Sequence, residues 1–568
     1  MVTKISLTTL VFLFPLISNI SLCSQEMKWE VKDKIKKISK EIVQKMSDEE
    51  KAGQVIHIAL PGKDIDEISS SEIKKIKPGG VILFGTNLGN AEEIRNFTDS
   101  LQDEAKKNKI LPLFISTDQE GGRVVRVKKG VTDFPGAMAI GQTNNEQYGF
   151  DVGFITSYQL NKLGINVLLA PSLDINNNPE NPVINTRSFG SDLNTVVKIA
   201  TAYERGAREG GALPVIKHFP GHGDTNIDSH LGLPIIEKDM EQITNFELVP
   251  FKKSIEDGAR AVMSAHIVYP KIDPKFPATL SKEILTGILR EKLKFEGIIF
   301  TDAMEMDAIS KNYKKEKRGI LALLAGADIV LLTSWGKTTT EYYEMILDGI
   351  KKKEFIIGER DLLEEALIRQ VSLKIEFGLL NSTSSNVTIT DYDILEYLET
   401  RTSKIKEKMN FFKKQNIKDY NLKISMDSIR SLGGVFTPIT PETALTYQFY
   451  LNRKNFQEEV KLIGLNLISE KRFLKLIKSN LHSKIVVESN NQVDLDKLSK
   501  LLKQSPDSEF ILLHTGSPYL NFPNHSKLSV ILSFSPTKAS QTALIRRVFQ
   551  SSPEEKVLPC NLNLKIKK

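Results

Sequence analysis

Between Lys51 and about Leu380, short runs of Val, Ile, Leu and Phe alternate with longer stretches in which apolar residues recur every three or four positions. The short runs read as strands buried on both faces and the longer stretches as amphipathic helices. Their steady alternation predicts parallel βα units. The strand candidates are Gln54–Leu60, Gly80–Phe84, Leu113–Thr117, Ile165–Ala170, Leu213–His218, Ala261–His266, Gly297–Asp302 and Asp328–Thr333. Eight such units fit one closed TIM-type (β/α)8 barrel. Helices are predicted between them, among others over Ala91–Lys107, Tyr148–Leu163, Thr195–Gly210, Glu241–Asp257 and Ser281–Leu293. In the last, Ser281 precedes Glu283 and the spaced Ile284, Leu285, Ile288 and Leu289, which is the pattern of a capped helix packed on a sheet.

The pattern changes after Leu380. Asn381–Asn386 is a run of small polar residues and opens a predicted linker over 381–393. A helical segment, Ile394–Phe412, follows. Short apolar runs then come at Val460–Leu467, Lys484–Val487, Phe510–His514 and Leu528–Ser533, separated by Lys-rich helical stretches. Residues 394–568 are therefore expected to form a smaller α/β C-terminal domain behind a barrel spanning 30–380.

Composition narrows the class of partner. In 568 residues, 40% hydrophobic and 26% charged positions describe a soluble globular chain. The +7 balance comes from 77 Lys and Arg against 70 Asp and Glu, spread over helix faces such as Lys34–Lys40. Charge dispersed in this way belongs to solvated surfaces, so no nucleic-acid partner is expected. Residues 1–23 differ from the rest. Lys4 is followed by an apolar run from Ile5 to Leu22, interrupted by Pro15 and Asn19, which is the make-up of an export signal and too broken for a comfortable membrane span. Ile20-Ser-Leu-Cys23 resembles a loose lipobox, with Leu22 bulky for the position before a lipidated cysteine. A periplasmic enzyme and a membrane-anchored lipoprotein are both open. Cys560 is the one other cysteine, so disulfides are not what holds this exported chain together. A monomer is expected.

In such a barrel the loops after the strand C-termini share one face, and polar residues placed there can share a pocket. Four strand ends carry them. The third ends in Thr117-Asp118-Gln-Glu-Gly-Gly-Arg123 with Arg126 after it, the fifth in Lys217-His218-Phe-Pro-Gly-His-Gly-Asp224, the sixth at His266 and the seventh at Asp302. A carboxylate leaving an apolar strand at the mouth of a barrel can attack an anomeric carbon. Capping the following residues is the plainer role for Asp302, and Glu305 is its nearest competitor as nucleophile. Three of the eight histidines, with Asp224 and Asp228, fall in the Gly- and Pro-containing segment Lys217–His230. In Asp228-Ser229-His230 a bent loop lets the carboxylate accept the imidazole proton, leaving the other ring nitrogen to give a proton to a leaving oxygen and later take one from water. His218, His222, Asp224 and His230 are equally a possible zinc set, although no HxH pair sits on the first strand and Lys217 would place a cation beside the metal. Arg126 and Arg187 could fork onto a ligand's hydroxyl or carboxylate groups, and Asp118 could accept two sugar hydroxyls.

Lys217-His-Phe-Pro-Gly-His-Gly-Asp-Thr225 followed by Asp228-Ser-His230 resembles the signature of exo-acting β-N-acetylglucosaminidases of glycoside hydrolase family three. Asp118-Gln-Glu-Gly-Gly-Arg123, Arg187-Ser-Phe-Gly190 and Thr301-Asp-Ala-Met304 follow in the family's order, and the likeness covers about Lys51 to Leu380. It implies a retaining β-N-acetylhexosaminidase with Asp302 as nucleophile and His230, supported by Asp228, as acid/base. It also implies that Asp118, Arg126, Arg187, Lys217 and His218 hold a terminal N-acetylglucosamine. No metal or cofactor is expected. Ala303 stands where many members carry a second Asp, and the C-terminal part matches the family only loosely. Peptidoglycan-derived and chitin-type oligosaccharides both fit as substrates. A β-glucosidase of the same fold, a zinc-dependent amidohydrolase and an inactive sugar-binding lipoprotein are the alternatives.

Overall fold

The structure is a computed structural model that describes residues 27–229, 231–314, 317–381, 387–432, 447–462, 467–478 and 483–549. Residues 1–26 with Cys23, the greater part of Asn381–Asn386, Cys560 and His230 lie outside the described residues, and with them the expected export signal and lipobox.

All eight expected strand positions carry strand, all but β5 shorter than the apolar run: β1 (Ile56–Ala59), β2 (Gly80–Ile82), β3 (Phe114–Thr117), β4 (Val167–Leu168), β5 (Leu213–Pro214 and Ile216–Phe219), β6 (Ala261–Ser264), β7 (Ile298–Phe300) and β8 (Val330–Leu331). They pair in parallel as a six-stranded arc, β8-β1-β2-β3-β4-β5, and a three-stranded arc, β7-β6-β5. The two arcs meet through Val215, between the two pieces of β5, whose N–H bonds to Leu168 O at 2.9 Å. They meet again at the Phe300–Ile329 bridge, where Ile329 N bonds to Ile299 O at 3.1 Å and Thr301 N to Ile329 O at 2.9 Å.

Parallel strands covered on both faces must be apolar on both, and alternate residues supply two different cores. Ala59, Ile82, Phe114, Val167, Leu213, Ala261, Met263, Ile298, Phe300 and Leu331 share one buried cluster with Leu373 and Phe377. Ile56, Ile58, Val81, Ile115, Leu168, Ile216, Val262, Ile299 and Val330 belong to the cluster that the helices cover. The helices start where local chemistry supports them. Asn90 accepts from Glu92 N and Glu93 N ahead of Ala91–Lys107. Asp192 caps Leu193–Gly210 by accepting from Thr195 N, which explains a start two residues before the predicted Thr195, and Gly211 ends that helix at φ 113°, where a side chain would be strained. Ile284 N bonds to Ser281 Oγ at 3.2 Å, as the capped pattern predicted. The helix expected over Glu241–Asp257 is instead two, Met240–Asn245 and Leu248–Glu256. Pro250 sits in the first turn of the second piece, where its missing N–H costs no helical bond.

Farther along, Tyr392–Lys414 is helical as expected, and five strands form a second sheet: β9 (Arg430–Leu432), β10 (Tyr447–Tyr450), β11 (Lys484–Ser489), β12 (Glu509–His514) and β13 (Leu528–Leu532), in the order β9-β13-β12-β11-β10. All neighbours are parallel except the edge strand β9. The expected strand at Val460–Leu467 is replaced up to Leu462 by the helix Lys454–Leu462, and the strands that the apolar pattern missed are β9 and β10. Met138 and Ala139 from the first part of the chain join Leu512, Leu532 and Phe534 in one buried cluster, and Gly136 N bonds to Ser535 Oγ at 3.1 Å.

The second sheet contains a pH-sensitive element. His514 is fully buried, with Nδ1 2.8 Å from Ser489 Oγ and Nε2 3.1 Å from Ser517 O, and burial pushes it down to about 4. On acidification from pH 6.5 an unfolded chain takes up a proton that the folded ring refuses until about pH 4. The stability that the neutral ring contributes is therefore complete above pH 6.5 and is lost between there and pH 4. Across that window Tm is expected to fall less steeply in His514→Gln than in the parent protein. An equally steep fall in both, followed by calorimetry, would contradict the assignment.

Candidate active site

The segment after β3 turns back on itself through a short hairpin, Gln119–Gly121 with Val124–Val125. Gly122, at φ 58°, permits the turn, and a Cβ there would stand 2.7 Å from Gly136 Cα. The fold holds Glu120 buried, where it accepts a forked pair from Arg187 (Nε to Oε2 2.9 Å, Nη2 to Oε1 2.8 Å) and a third contact from Lys217 Nζ at 2.8 Å. Lys217, buried at the end of β5, also donates to Asp118 Oδ1 at 2.8 Å, and Arg126 Nη2 stands 3.7 Å from Asp118 Oδ2. Arg187 Nη2 lies 3.3 Å from His218 Nε2, while His218 Nδ1 is 2.7 Å from Asp174 Oδ2. Asp118, Arg126, Arg187, Lys217 and His218 thus belong to one chain of contacts at one rim of the sheet.

Those contacts keep the buried groups charged. Burial would raise the Glu120 carboxyl, but Arg187 and Lys217 beside it hold it well below the usual range. Burial would likewise raise Asp174, and His218 holds it down to about 2. For Lys217 burial works toward the neutral amine, and Asp118 and Glu120 overcome it, so its pKa is raised. An ion network this deep is tolerated because each charge has a partner and hydrogen bonds.

Asp302 follows β7 half-buried, and Ala303 N donates to its Oδ1 at 2.8 Å. Its Oδ2 has no hydrogen bond among the described residues. Burial pushes this carboxyl up, but His266, His218, the Ala303 N–H and Lys217 outweigh that and leave it lower than an ordinary aspartate. An ionised carboxylate with one unengaged oxygen is chemically able to act as a nucleophile. Glu305 is differently placed: it accepts from Thr333 N at 3.0 Å and from Ser334 Oγ at 2.5 Å, bracing the loop after β8. His266 fixes the backbone beside Asp302, with Nδ1 2.8 Å from Thr279 Oγ1 and Nε2 2.9 Å from Ala303 O.

The loop after β5 reaches toward this point. Asp228 is half-buried and its carbonyl accepts from Leu231 N and Gly232 N, while Ser229 O faces Ala308 N, on the segment after Asp302, at 3.4 Å. The imidazole of residue 230 is outside the described residues. The other members of the possible zinc set have separate tasks: His218 pairs with Asp174, His222 lies between Thr225 and Ser229, and Asp224 pairs with Lys238 at 2.7 Å. Among the described residues no three His, Cys, Asp or Glu side chains are grouped to hold a metal ion.

Two results differ from the sequence expectation. The fork of Arg187 is closed on Glu120 rather than open to a ligand, which makes Arg187 a brace under Lys217 and His218. Glu120 and Asp174 themselves were missed. Glu120 could have been suspected from its place in Asp118–Arg123, but Asp174, in the polar loop Ser172–Asn178, carries no mark that separates it from a solvated loop acid.

Comparison with known proteins places these features in context. Residues 47–367 match the model of the glycosyl hydrolase family 3 N-terminal domain. Beta-hexosaminidase A of Pseudoalteromonas piscicida is 41% identical over 280 residues, which make up 46% of this chain and 47% of that protein. The chain thus spans about half the length of that relative. Beta-hexosaminidase of Methylobacillus flagellatus is 36% identical over 275 residues, 47% of this chain and 77% of that protein. Among solved structures, a glycoside hydrolase family 3 beta-N-acetylglucosaminidase from Paenibacillus sp. superposes with a TM-score of 0.77 at 27% identity, over 92% of this chain and all of the other.

Proposed function

The chain belongs to glycosyl hydrolase family 3, and we propose that it is a retaining β-N-acetylhexosaminidase that releases non-reducing terminal N-acetylglucosamine. In this reading Asp302 attacks the anomeric carbon while His230, oriented by Asp228, protonates the departing oxygen; His230 then takes a proton from the water that hydrolyses the glycosyl-enzyme. Asp118, Arg126, Lys217 and His218 face the sugar, and Arg187 holds them in place through Glu120. The observation that carries the reading is the unengaged Oδ2 of an ionised Asp302, within electrostatic reach of Lys217 and His218, on a segment whose Ala308 N bonds to Ser229 O next to Asp228.

We read the two arcs as one closed eight-stranded barrel within residues 30–380, joined through Val215 and the Phe300–Ile329 bridge, followed by a smaller α/β domain over 394–568. We further propose export directed by residues 1–23, with the enzyme either free in the periplasm or anchored through Cys23, and wall-derived or chitin-type oligosaccharides as substrates.

An aryl N-acetyl-β-glucosaminide, offered beside the aryl β-glucoside with and without a chelator, tests the activity. The expected result is faster turnover of the N-acetylglucosaminide, unchanged by chelation. Preference for the glucoside makes the protein a β-glucosidase. Activity lost to the chelator and restored by zinc points to metal-dependent hydrolysis, and binding of N-acetylglucosamine without turnover to a sugar-binding protein.

A further inference from the structure

His222 lies in the same loop as Asp228 and His230 but takes part in none of the steps above. Its surroundings are unusually complete. The ring is buried, with Nδ1 3.0 Å from Thr225 Oγ1 and Nε2 3.1 Å from Ser229 Oγ. Burial, with His218 close by, pushes it down to about 4, so near neutrality the ring has one N–H and one bare nitrogen. A hydroxyl suits either, since it can accept or donate.

The backbone that carries the ring is fixed from several sides. His222 N donates to Asp174 Oδ1 at 2.6 Å, and the Asn181 amide donates to His222 O at 2.8 Å and Gly223 O at 3.0 Å. Gly223 is pressed so closely on the loop after β4 that a Cβ would stand 1.6 Å from Ile175 O. The chain then leaves the surface. Asn226 and Ile227 are exposed, Asp228 is half-buried and Leu231 is exposed again, at 75%. Among the described residues from 226 to 232, Ser229 alone is buried, and its hydroxyl bonds to His222.

Ser229 is therefore the point at which an exposed excursion is fastened back onto the molecule, and in the sequence it stands between the two residues assigned to proton transfer. We propose that His222 is a positioning residue for proton transfer: by holding the Ser229 hydroxyl from a rigid loop root, it fixes the backbone between Asp228 and the residue that follows Ser229 in the sequence. This rests on the acid/base assignment made above. His222 touches neither the sugar nor the reacting atoms. Its loss leaves the nucleophile and the sugar contacts in place and loosens only the group that delivers the proton.

Leaving-group dependence separates that role from a general structural one. Proton donation matters most for a poor leaving group and little for an activated one such as dinitrophenolate, which departs without it. We expect His222→Ala to lower kcat/KM by about 10- to 100-fold for aryl N-acetyl-β-glucosaminides with weakly acidic phenols, part of the effect of a full acid/base deletion, and by less than about threefold for the dinitrophenyl compound. Ser229→Ala breaks the same bond from the other side and is expected to give the same steepened series. His222→Gln, whose amide can still reach Ser229, is expected to restore most of the loss. His230→Ala in parallel distinguishes the two levels of the argument. A steep series for His230→Ala with unchanged or uniformly lowered rates for His222→Ala and Ser229→Ala overturns the positioning role alone. A flat series for His230→Ala overturns the acid/base assignment, and the positioning role with it.

Discussion

Replacing Asp302 with alanine is expected to lower kcat toward aryl N-acetyl-β-glucosaminides by roughly 10⁴-fold or more, the scale on which removing one member of a catalytic nucleophile unit acts. That corresponds to about 5.5 kcal/mol of lost transition-state stabilisation. Binding of N-acetylglucosamine should survive, because the charged chain from Arg126 through Lys217 and Glu120 to Arg187 and His218 does not include residue 302. Nor should the fold suffer. Asp302 accepts a hydrogen bond from Ala303 N–H, and it is held ionised at a cost in desolvation that an alanine avoids. Titration calorimetry with the sugar and a thermal melt check both points. Glu305→Ala is the informative contrast. It leaves Thr333 N and the Ser334 hydroxyl without their acceptor, a deficit of about 1–3 kcal/mol for a buried group. Its loss should therefore fall first on Tm. Equal kinetic collapse in the two variants would mean that the nucleophile has been misplaced.

His230→Ala should cost about 10²- to 10⁴-fold in kcat/KM toward substrates with poor leaving groups, the usual contribution of a positioned general acid. Its pH profile carries a second signature. The acid must be protonated to act, so in the parent enzyme kcat/KM falls on the alkaline side as the imidazole loses its proton, and that limb should vanish in the variant. The acidic limb should remain in both, because it reports Asp302 taking up a proton, and His266, His218 and Lys217 push that event below the ordinary range of an aspartate. An alkaline limb that persists unchanged in His230→Ala, measured over a full pH series, would assign the proton donor elsewhere.

The strands of the first sheet were legible because burial on both faces forces unbroken apolar runs, and Gly297–Phe300 can be little else. Their ends were not. Pairing stops where the backbone turns into a loop, so Ile165–Ala170 yields ladder only at Val167–Leu168. In the second sheet the same reading failed at Val460, where an amphipathic helix buries Phe456 and Val460 on one side, a pattern that a short window cannot separate from an apolar strand run. It failed also at β10, because Tyr447–Tyr450 alternates buried and half-buried residues without a long apolar stretch.

The site divides in the same way. Groups at strand ends could be read from position alone, which is how Asp118, Lys217, His218 and Asp302 were singled out. Groups that act by bracing could not. Asp174 matters because it meets His218 N, His218 Nδ1 and His222 N at once, and that convergence exists only after β4 and β5 have paired. Arg187 looked like a ligand-binding fork for the complementary reason: the sequence shows its donors but not that Glu120, 67 residues earlier, already accepts from them.

Everything proposed for the chemistry depends on residues 230 and 302 acting on one glycosidic bond from opposite sides. The most direct measurement uses His230→Ala with a dinitrophenyl N-acetyl-β-glucosaminide. The activated substrate can still glycosylate the enzyme, but the missing base leaves the adduct to accumulate. Peptide mass mapping should find it on Asp302, and added azide should clear it as the β-glycosyl azide, with retained configuration. An adduct on Glu305, an α-azide, or no adduct at all because the substrate's own acetamido group displaces the phenol would contradict the account.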